Sequence, residues 1–153
     1  TKVADDVSAY LQAVTEMAGL ADWLKASDED MQCLGWAEVH WDHTHALAAK
    51  WQTMGCQRVA LTFGEQGASL HIGQHHARAT APKVNVVDTV GAGDTFWGSC
   101  LADWLMHDTL GHADAAAQRI EQTLQRALRA AAINCEREGC QPPSLNELET
   151  ALT

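Results

Sequence analysis

Apolar positions along the chain follow two patterns, a repeat of about 3.6 residues and short continuous runs. A period near 3.6 predicts helices over residues 8–20, about 39–54, 94–107 and 113–137, with further helices at SDEDMQCLG and LNELETAL. Short apolar runs predict strands at ADWLK, RVALTFG and VNVV, and a hairpin formed by ASLHI and HHARATA around Gly73-Gln74. Helices and strands alternate early and helices dominate late, so we expect an α/β chain with a largely parallel sheet covered by helices.

Polar residues mark the predicted helix starts. Ser27 or Asp28 is expected to cap the helix at SDEDMQCLG, with acidic residues in its first turn. Ser144 is expected to cap the last helix, with Glu147 at the capping-box position. Gly55 is expected to follow the end of the helix over about 39–54.

Composition and charge exclude several classes of protein. No apolar run approaches the roughly 18 residues that a membrane span requires. The formal net charge of −10 argues against general nucleic-acid binding, which needs clustered Lys and Arg. The five cysteines are an odd number without a CxxC pair, which favours free thiols in a reducing cytoplasm. We therefore expect a cytoplasmic protein that binds neither membranes nor nucleic acid.

The segment VVDTVGAGDTFWGS, residues 86–99, combines three glycines and two aspartates just before an apolar helix. Gly91 and Gly93 remove side-chain bulk, so the backbone amides of this turn can approach a ligand closely. A helix that begins at such a turn also directs unpaired amides and the positive end of its dipole outward. The segment therefore predicts an anion-binding site.

Two familiar phosphate-binding loops do not match this segment, and a third does. Asp94 stands where a Walker A loop requires Lys, and Phe96 stands where a dinucleotide fingerprint requires a third glycine. DTVGAGD, in contrast, resembles position by position the D-T-x-G-A-G-D signature of the ribokinase-like (PfkB-type) carbohydrate kinases. Three further segments resemble family landmarks in family order: KASDEDMQCLG (the Asn-x-x-Glu or Ser-x-x-Glu segment), LTFGEQGA (the nucleotide strand and turn) and AAAINCEREGCQPPS (the closing segment of bacterial fructokinases).

The resemblance implies a ribokinase-like fold, with a mostly parallel sheet flanked by helices, and covers only the C-terminal part of the family pattern. The N-terminal part, with its glycine-rich sugar-binding motif and β-lid, has no counterpart here. Residues 1–153 are therefore expected to form the nucleotide-binding and catalytic-loop part of a sugar kinase, and the first residue, Thr1, is consistent with a trimmed start or a fragment. An unpaired sheet edge in such a part favours self-association, with a homodimer as one expected form.

The resemblance also implies a reaction, the phosphorylation of a small sugar hydroxyl by ATP with Mg²⁺. Asp94 would be the general base, and the amides of Gly91, Ala92 and Gly93 would form the anion hole. A helix cap is the structural alternative for Asp94. The fructokinase-like closing segment favours a ketohexose, while ribose, 2-keto-3-deoxygluconate and nucleosides stay open. A second class of function also stays open, namely a kinase half that binds a nucleotide or a protein partner without turnover.

The remaining site residues follow from the resemblance as well. The nucleotide would contact Ser27, Thr62, Gly64, Gly67 and Gly93, although a plain β-turn also explains Gly64 and Gly67. Asp30 would hold Mg²⁺ through water, or would be an ordinary acid in the first turn of a helix. A monovalent cation such as K⁺ would be bound by Asp88, Val90, Asn134 and Gly139, with a last ligand position near Pro143, where relatives often carry Ser. An Asx turn is the alternative role for Asp88.

Several conspicuous residues are expected to have structural roles. The histidines of HWDHTH are expected on a surface helix, and His75-His76 point to opposite faces of a strand and cannot chelate together. Phe96, Trp97 and Trp104 are expected in the core. The arginines of the late helix are expected to form a solvated face: Arg119, Arg126 and Arg129.

Overall fold

Residues 7–109 and 111–152 are described by the computed structural model of the chain. Four strands form one sheet in the order β1-β2-β3-β4: β1 Trp23–Ser27, β2 Arg58–Thr62, β3 Ala68–Ile72 and β4 His75–Ala79. β1 and β2 are parallel, whereas the β2–β3 and β3–β4 pairs are antiparallel. The sheet of the described residues is therefore mixed rather than mostly parallel, because the predicted hairpin adds its two strands at one edge.

Seven α-helices accompany the sheet in the described residues: α1 Val7–Leu20, α2 Asp28–Cys33, α3 Thr44–Thr53, α4 Ala92–Met106, α5 Ala113–Gln118, α6 Ile120–Cys135 and α7 Leu145–Leu152. Short 3₁₀ turns cover Trp41–His43 and Gly64–Gln66. The helix predicted over about 39–54 therefore begins later, and the helix predicted over 113–137 divides at Arg119. Among these described helices, none is long and apolar enough to cross a membrane.

The strand predicted at VNVV is wrong. Residues 80–90 form an irregular loop, and Val86 and Val87 are more than half exposed. The amides of Val87 and Asp88 donate to the carbonyl of Cys135, at 2.8 and 3.2 Å. These bonds attach the loop to the end of α6 instead of to the sheet.

The predicted capping residues are confirmed. The Ser27 hydroxyl accepts the amide of Asp30 at 3.0 Å, and the Asp30 carboxylate accepts the amide of Ser27 at 2.8 Å, which completes a capping box at α2. Before α7, the amide and hydroxyl of Ser144 donate to the Glu147 carboxylate. These two bonds, with Arg137 beside them, lower the pKa of Glu147 to about 2.

Alternating side chains divide the core between the two faces of the sheet. Trp23 and Ala60 pack with α4, α5 and α6 on one face, whereas Ala26 and Leu61 pack with α1, α2 and α3 on the other. The predicted core positions are confirmed, because Phe96 and Trp104 are buried and Trp97 packs against the same cluster. The carboxyl ends of β1 and β2 thus lie between two helical layers, and α4 begins on the first face.

The expectation of a solvated arginine face on the late helices is wrong for Arg119 and Arg126. Asp103 of α4 is completely buried, and its Oδ1 lies 3.2 Å from Nη2 of Arg119 and 3.3 Å from Nε of Arg126. Its Oδ2 accepts the Thr123 hydroxyl at 2.7 Å. A buried carboxylate requires such partners, so these arginines join α4 to α6 rather than forming a surface.

Three histidines from different elements lie together, which the sequence did not indicate. The ring centroids of His45 on α3, His71 on β3 and His76 on β4 are separated by 5.4 to 6.0 Å. His71 is buried, and its Nε2 lies 3.1 Å from the Ser69 hydroxyl. Among the described residues no group of three His, Cys, Asp or Glu side chains could hold a metal ion. The cluster is therefore a set of packed imidazoles.

Unfolding of this protein is expected to depend on the protonation of His71. Burial, with His76 and His45 nearby, lowers the pKa of His71 from 6.5 to about 4. The unfolded chain binds this proton more readily, so the contribution of His71 to the free energy of unfolding is complete above pH 6.5 and falls as the pH drops toward 4. The loss over this window is about 3 kcal/mol at most.

Urea unfolding followed by tryptophan fluorescence at a series of pH values measures this effect. His71→Gln is expected to flatten the slope below pH 6.5, whereas His75→Gln, an exposed change on the same hairpin, retains it. An unchanged slope in His71→Gln would show that other groups control the acid sensitivity.

Candidate phosphate-binding and catalytic site

The glycine-rich turn opens α4 in the way that its sequence predicts. Gly91 adopts a left-handed conformation with φ +75° and ψ 4° and is the N-cap residue of α4. A Cβ atom at this position would lie 2.2 Å from Sγ of Cys140. Both the backbone angle and the close approach of Cys140 therefore require glycine here.

Two of the three predicted anion-hole amides are unpaired. The amide of Ala92 donates to the carbonyl of Thr89 at 3.2 Å, whereas those of Gly91 and Gly93 donate to no group of the described residues. The first α-helical hydrogen bond of α4 runs from the amide of Thr95 to the carbonyl of Gly91, at 2.8 Å. The turn thus leaves free donors at the positive end of a helix of 15 residues, an arrangement suited to an anion.

Asp94 is the third residue of α4, and its side chain is exposed. Gly91 occupies the N-cap position and no side chain caps the helix, so the capping alternative for Asp94 does not describe this structure. Within the described part of the chain, its carboxylate is engaged in no hydrogen bond or ion pair. An uncommitted carboxylate one residue beyond free amides is placed to accept a proton from a group held at the turn.

The four residues predicted to bind a monovalent cation come together behind this turn. Asp88 Oδ1 accepts the amide of Val90 at 3.0 Å, which is the predicted Asx turn, and Oδ2 accepts the amide of Gly139 at 2.9 Å. These two bonds lower the pKa of Asp88. The side-chain amide of Asn134 donates to the carbonyl of Val90 at 2.9 Å. These bonds join the turn to the end of α6, and the carboxylate oxygens of Asp88 and the carbonyl oxygen of Val90 each accept a protein N–H.

Asp30, the predicted Mg²⁺ ligand, is part of the capping box of α2. Burial opposes its ionisation, but the hydrogen bonds from the amide and side chain of Ser27 and the charge of Lys25 lower its pKa overall. Oδ2 is the oxygen that these contacts use. Oδ1 has no partner among the described residues, so one oxygen of a charged carboxylate is available to a water shell around Mg²⁺.

Of the residues predicted to line the nucleotide, Ser27 and Thr62 are paired in register at the carboxyl ends of β1 and β2. Ligands of α/β proteins commonly bind at such strand ends. Gly64 begins the following 3₁₀ turn with φ +52° and is exposed. Gly67 is buried, with φ +122°, and a Cβ atom there would lie 2.1 Å from the carbonyl oxygen of Ala79. The hairpin therefore requires Gly67 for packing, as the turn alternative expects.

Lys25 is a neighbour of the turn that the sequence reasoning missed. Its Nζ lies 3.8 Å from Oδ2 of Asp30 and 3.3 Å from the place that a Cβ atom of Gly93 would occupy. Lys25 thus connects the α2 capping box with the glycine turn. The signal was present in the strand WLKAS, where Lys25 is the single charged residue.

Comparisons with known proteins show the family and the fold of this chain. The fructokinase of Rhizobium leguminosarum bv. trifolii is 38% identical over 112 residues, covering 73% of this chain and 33% of that protein. The crystal structure of aminoimidazole riboside kinase from Salmonella enterica, complexed with aminoimidazole riboside and an ATP analogue, has a TM-score of 0.75 at 26% identity and covers 99% of this chain. The fructokinase structure from Vibrio cholerae shares the fold, with a TM-score of 0.76 at 24% identity.

These relatives are longer than this chain. The chain spans about one third of the Rhizobium fructokinase and covers 49% and 47% of the two solved chains. The ribokinase-like fold is nevertheless shown across nearly its whole length. The sequence model described as "pfkB family carbohydrate kinase" matches residues 2–147. Because this match covers nearly all of the chain, the chain belongs to the pfkB family of carbohydrate kinases.

Proposed function

We propose that this chain supplies the nucleotide-binding and catalytic-loop part of a kinase that phosphorylates a small sugar hydroxyl with ATP. The observation that carries the proposal is the turn at residues 91–93, where free amides at the start of α4 adjoin the uncommitted carboxylate of Asp94. A site for an anion and a site for a proton thus lie next to each other. The family match and the fructokinase-like relatives support the same reaction.

In the proposed reaction the amides of Gly91 and Gly93 receive the negative charge of the terminal phosphoryl group, aided by the dipole of α4. Asp94 accepts the proton of the sugar hydroxyl as its oxygen attacks the γ-phosphorus, and ADP leaves. Ala92 contributes less, because its amide already donates to Thr89. Ser27, Thr62 and Gly64 are proposed to line the nucleotide at the ends of β1 and β2.

Two ions are part of the proposal. Mg²⁺, when bound, would neutralise phosphate charge, and Asp30 would hold it through water by Oδ1, which has no partner among the described residues. K⁺ would be bound by oxygens of Asp88, Val90, Asn134 and Gly139; the support is that hydrogen bonds link Asp88 to Gly139 and Asn134 to Val90. Such an ion would fix the direction of the turn's amides.

The proposed acceptor is a ketohexose of the fructose type, because a fructokinase is 38% identical over 73% of the chain. Ribose, 2-keto-3-deoxygluconate and a nucleoside are the alternatives. A second candidate function is a nucleotide-binding or interaction module without turnover. It requires only the free amides of the turn and the residues proposed to line the nucleotide at the ends of β1 and β2.

A paired binding and turnover experiment tests the proposal. Calorimetry with the ATP analogue AMP-PNP and Mg²⁺ measures binding to this chain, and a coupled ADP assay over the four acceptor classes, with and without K⁺, measures turnover. The assay uses this chain and the whole polypeptide that its gene encodes in frame with it. Sugar-dependent ADP release by that polypeptide supports the kinase. Binding without any sugar-dependent release supports the nucleotide-binding module. If neither this chain nor the whole polypeptide binds AMP-PNP or releases ADP, the kinase and the nucleotide-binding module are both overturned.

A further inference from the structure

Asn134 is a fully buried polar side chain in the last turn of α6. Its exposed fraction is 0%, and it lies one residue before the end of the helix. Asparagine is a weak helix former, and a buried carboxamide is unfavourable unless its polar atoms have partners. The hydrogen bonds of Asn134 therefore have to offset both effects.

Both ends of this carboxamide are bonded, and each bond reaches a different segment. Nδ2 donates to the carbonyl of Val90 at 2.9 Å, and Oδ1 accepts the amide of Gln141 at 2.8 Å. Because one partner is a carbonyl and the other an N–H, a single orientation of the carboxamide satisfies both. Asn134 thus fixes the glycine turn, and the segment of residues 136–144, relative to α6.

The bond to Val90 also determines where the next amide points. The carbonyl of Val90 and the amide of Gly91 belong to one peptide group, which is planar and trans, so its C=O and N–H point in opposite directions. A carbonyl held toward the buried Asn134 therefore directs the N–H of Gly91 away from it. That N–H donates to no group of the described residues and lies at the start of α4.

Val90 is held through its backbone rather than through its side chain. The side chain is 58% exposed, so packing does not fix the residue. Its N–H donates to Oδ1 of Asp88 at 3.0 Å, and its carbonyl accepts from Asn134. Since φ and ψ are soft dihedrals, the peptide groups on either side of Val90 depend on these two side chains for their orientation.

We propose that Asn134 is a positioning residue of the phosphoryl-transfer site, which aims the amide of Gly91 at the anion through the carbonyl of Val90. The inference rests on the proposed function. A donor that is oriented in advance stabilises developing charge without rearranging during the reaction. A carboxamide suits this role because it donates and accepts at once, whereas an ionised Asp has no donor for the Val90 carbonyl and Leu has neither group.

Calorimetric titration of this chain and of the whole polypeptide encoded in frame with it tests the proposal. The probes are AMP-PNP with Mg²⁺ and, separately, AMP, in buffer with choline in place of K⁺ and Na⁺, so that no monovalent metal ion orients the turn. Asn134→Leu removes both hydrogen bonds at similar volume. It is expected to weaken AMP-PNP binding by about 3- to 10-fold, as loss of a neutral hydrogen bond predicts, and to leave AMP binding unchanged.

Turnover by the whole polypeptide gives a second measurement. Asn134→Leu is expected to lower kcat by about 10²-fold, the lower end of what the loss of one such donor causes. The KM for the sugar is expected to stay the same, because the amide of Gly91 acts on the phosphoryl group and not on the bound sugar.

Arg137→Met is the matched control. The guanidinium of Arg137 donates to the carbonyls of Gln141 and Pro142. This change therefore also weakens the attachment of residues 136–144 to α6, but it leaves the bond to Val90 in place. AMP-PNP affinity and kcat are expected to stay unchanged in Arg137→Met. Equal losses in Arg137→Met and Asn134→Leu would overturn the proposal, because a general weakening of this segment would then explain both.

The outcomes separate this inference from the proposed function. If neither this chain nor the whole polypeptide binds AMP-PNP or releases ADP, the proposed function fails. If AMP-PNP binds and Asn134→Leu retains both affinity and kcat, or loses AMP to the same extent, the role of Asn134 is overturned while the nucleotide site stands.

Should Asn134→Leu not fold, NMR of the unmodified protein provides the answer. A shift of the Gly91 amide signal with AMP-PNP but not with AMP, together with a scalar coupling from Nδ2 of Asn134 to the carbonyl carbon of Val90, supports the proposal. Absence of either the shift or the coupling overturns it.

Discussion

Asp94→Asn is expected to reduce sugar-dependent ADP formation by about 10²- to 10⁴-fold, the usual contribution of a positioned general base. Asn keeps the shape of the side chain and cannot accept the proton. AMP-PNP affinity is expected to stay the same or to rise slightly, because a negative charge beside the phosphates disappears. The coupled assay on the polypeptide encoded in frame with this chain, together with calorimetry on the chain itself, measures both effects.

Asp114→Asn is the matched control for Asp94→Asn. Asp114 is also an exposed acid in the first turn of a helix, α5, and lies outside the proposed site. Both changes remove a favourable interaction with a helix dipole, worth roughly 0.3–1 kcal/mol, so a general effect on stability appears in both. Turnover lost equally in the two variants, or retained in Asp94→Asn, would remove Asp94 from the role of base.

The glycine turn could be predicted from the sequence because its determinants are local. Gly91, Gly93 and Asp94 are neighbours in the chain, and a left-handed residue followed by a helix start fixes their geometry within a few residues. The capping boxes at Ser27 and Ser144 are local in the same sense. Residue type and spacing within a few positions determine such features, and for this reason the structure contains the predicted turn and caps.

The predictions that are wrong or missing concern features that depend on residues far apart in the sequence. VNVV has the composition of a strand, but its Val87 amide bonds to the end of α6 and no strand of the described residues pairs with it. His71 meets His76 only because the hairpin register places them opposite each other. A periodic pattern predicts which face of a helix or strand is apolar. It does not predict which polar group of a neighbouring helix that face contacts. Lys25 approaches Gly93 for the same reason, through the packing of β1 against α4.

Asp103 is the clearest of these cases, and its replacement is expected to have the largest effect on stability. It lies in the apolar helix TFWGSCLADWLM, completely buried, with Arg119, Arg126 and Thr123 of the late helices as partners. Asp103→Ala leaves Arg119 without a counter-charge among the described residues, and leaves Arg126 with Glu149 alone, at 2.7 Å. Breaking a buried pair in this way typically costs 3–5 kcal/mol, of the order of half the stability of a small domain.

Urea unfolding of this chain measures the cost, with Asp42→Ala as the control. Asp42 pairs with Arg78 at 3.2 Å, but its side chain is 68% exposed, so removing that pair is expected to cost about 0–1 kcal/mol. The replacement of Asp103, Arg119 and Arg126 together by Leu, Met and Met is expected to recover much of the loss, since no buried charge is then left unpaired. A cost for Asp103→Ala as small as that for Asp42→Ala would show that water reaches these arginines and that the carboxylate does not hold α4 to α6.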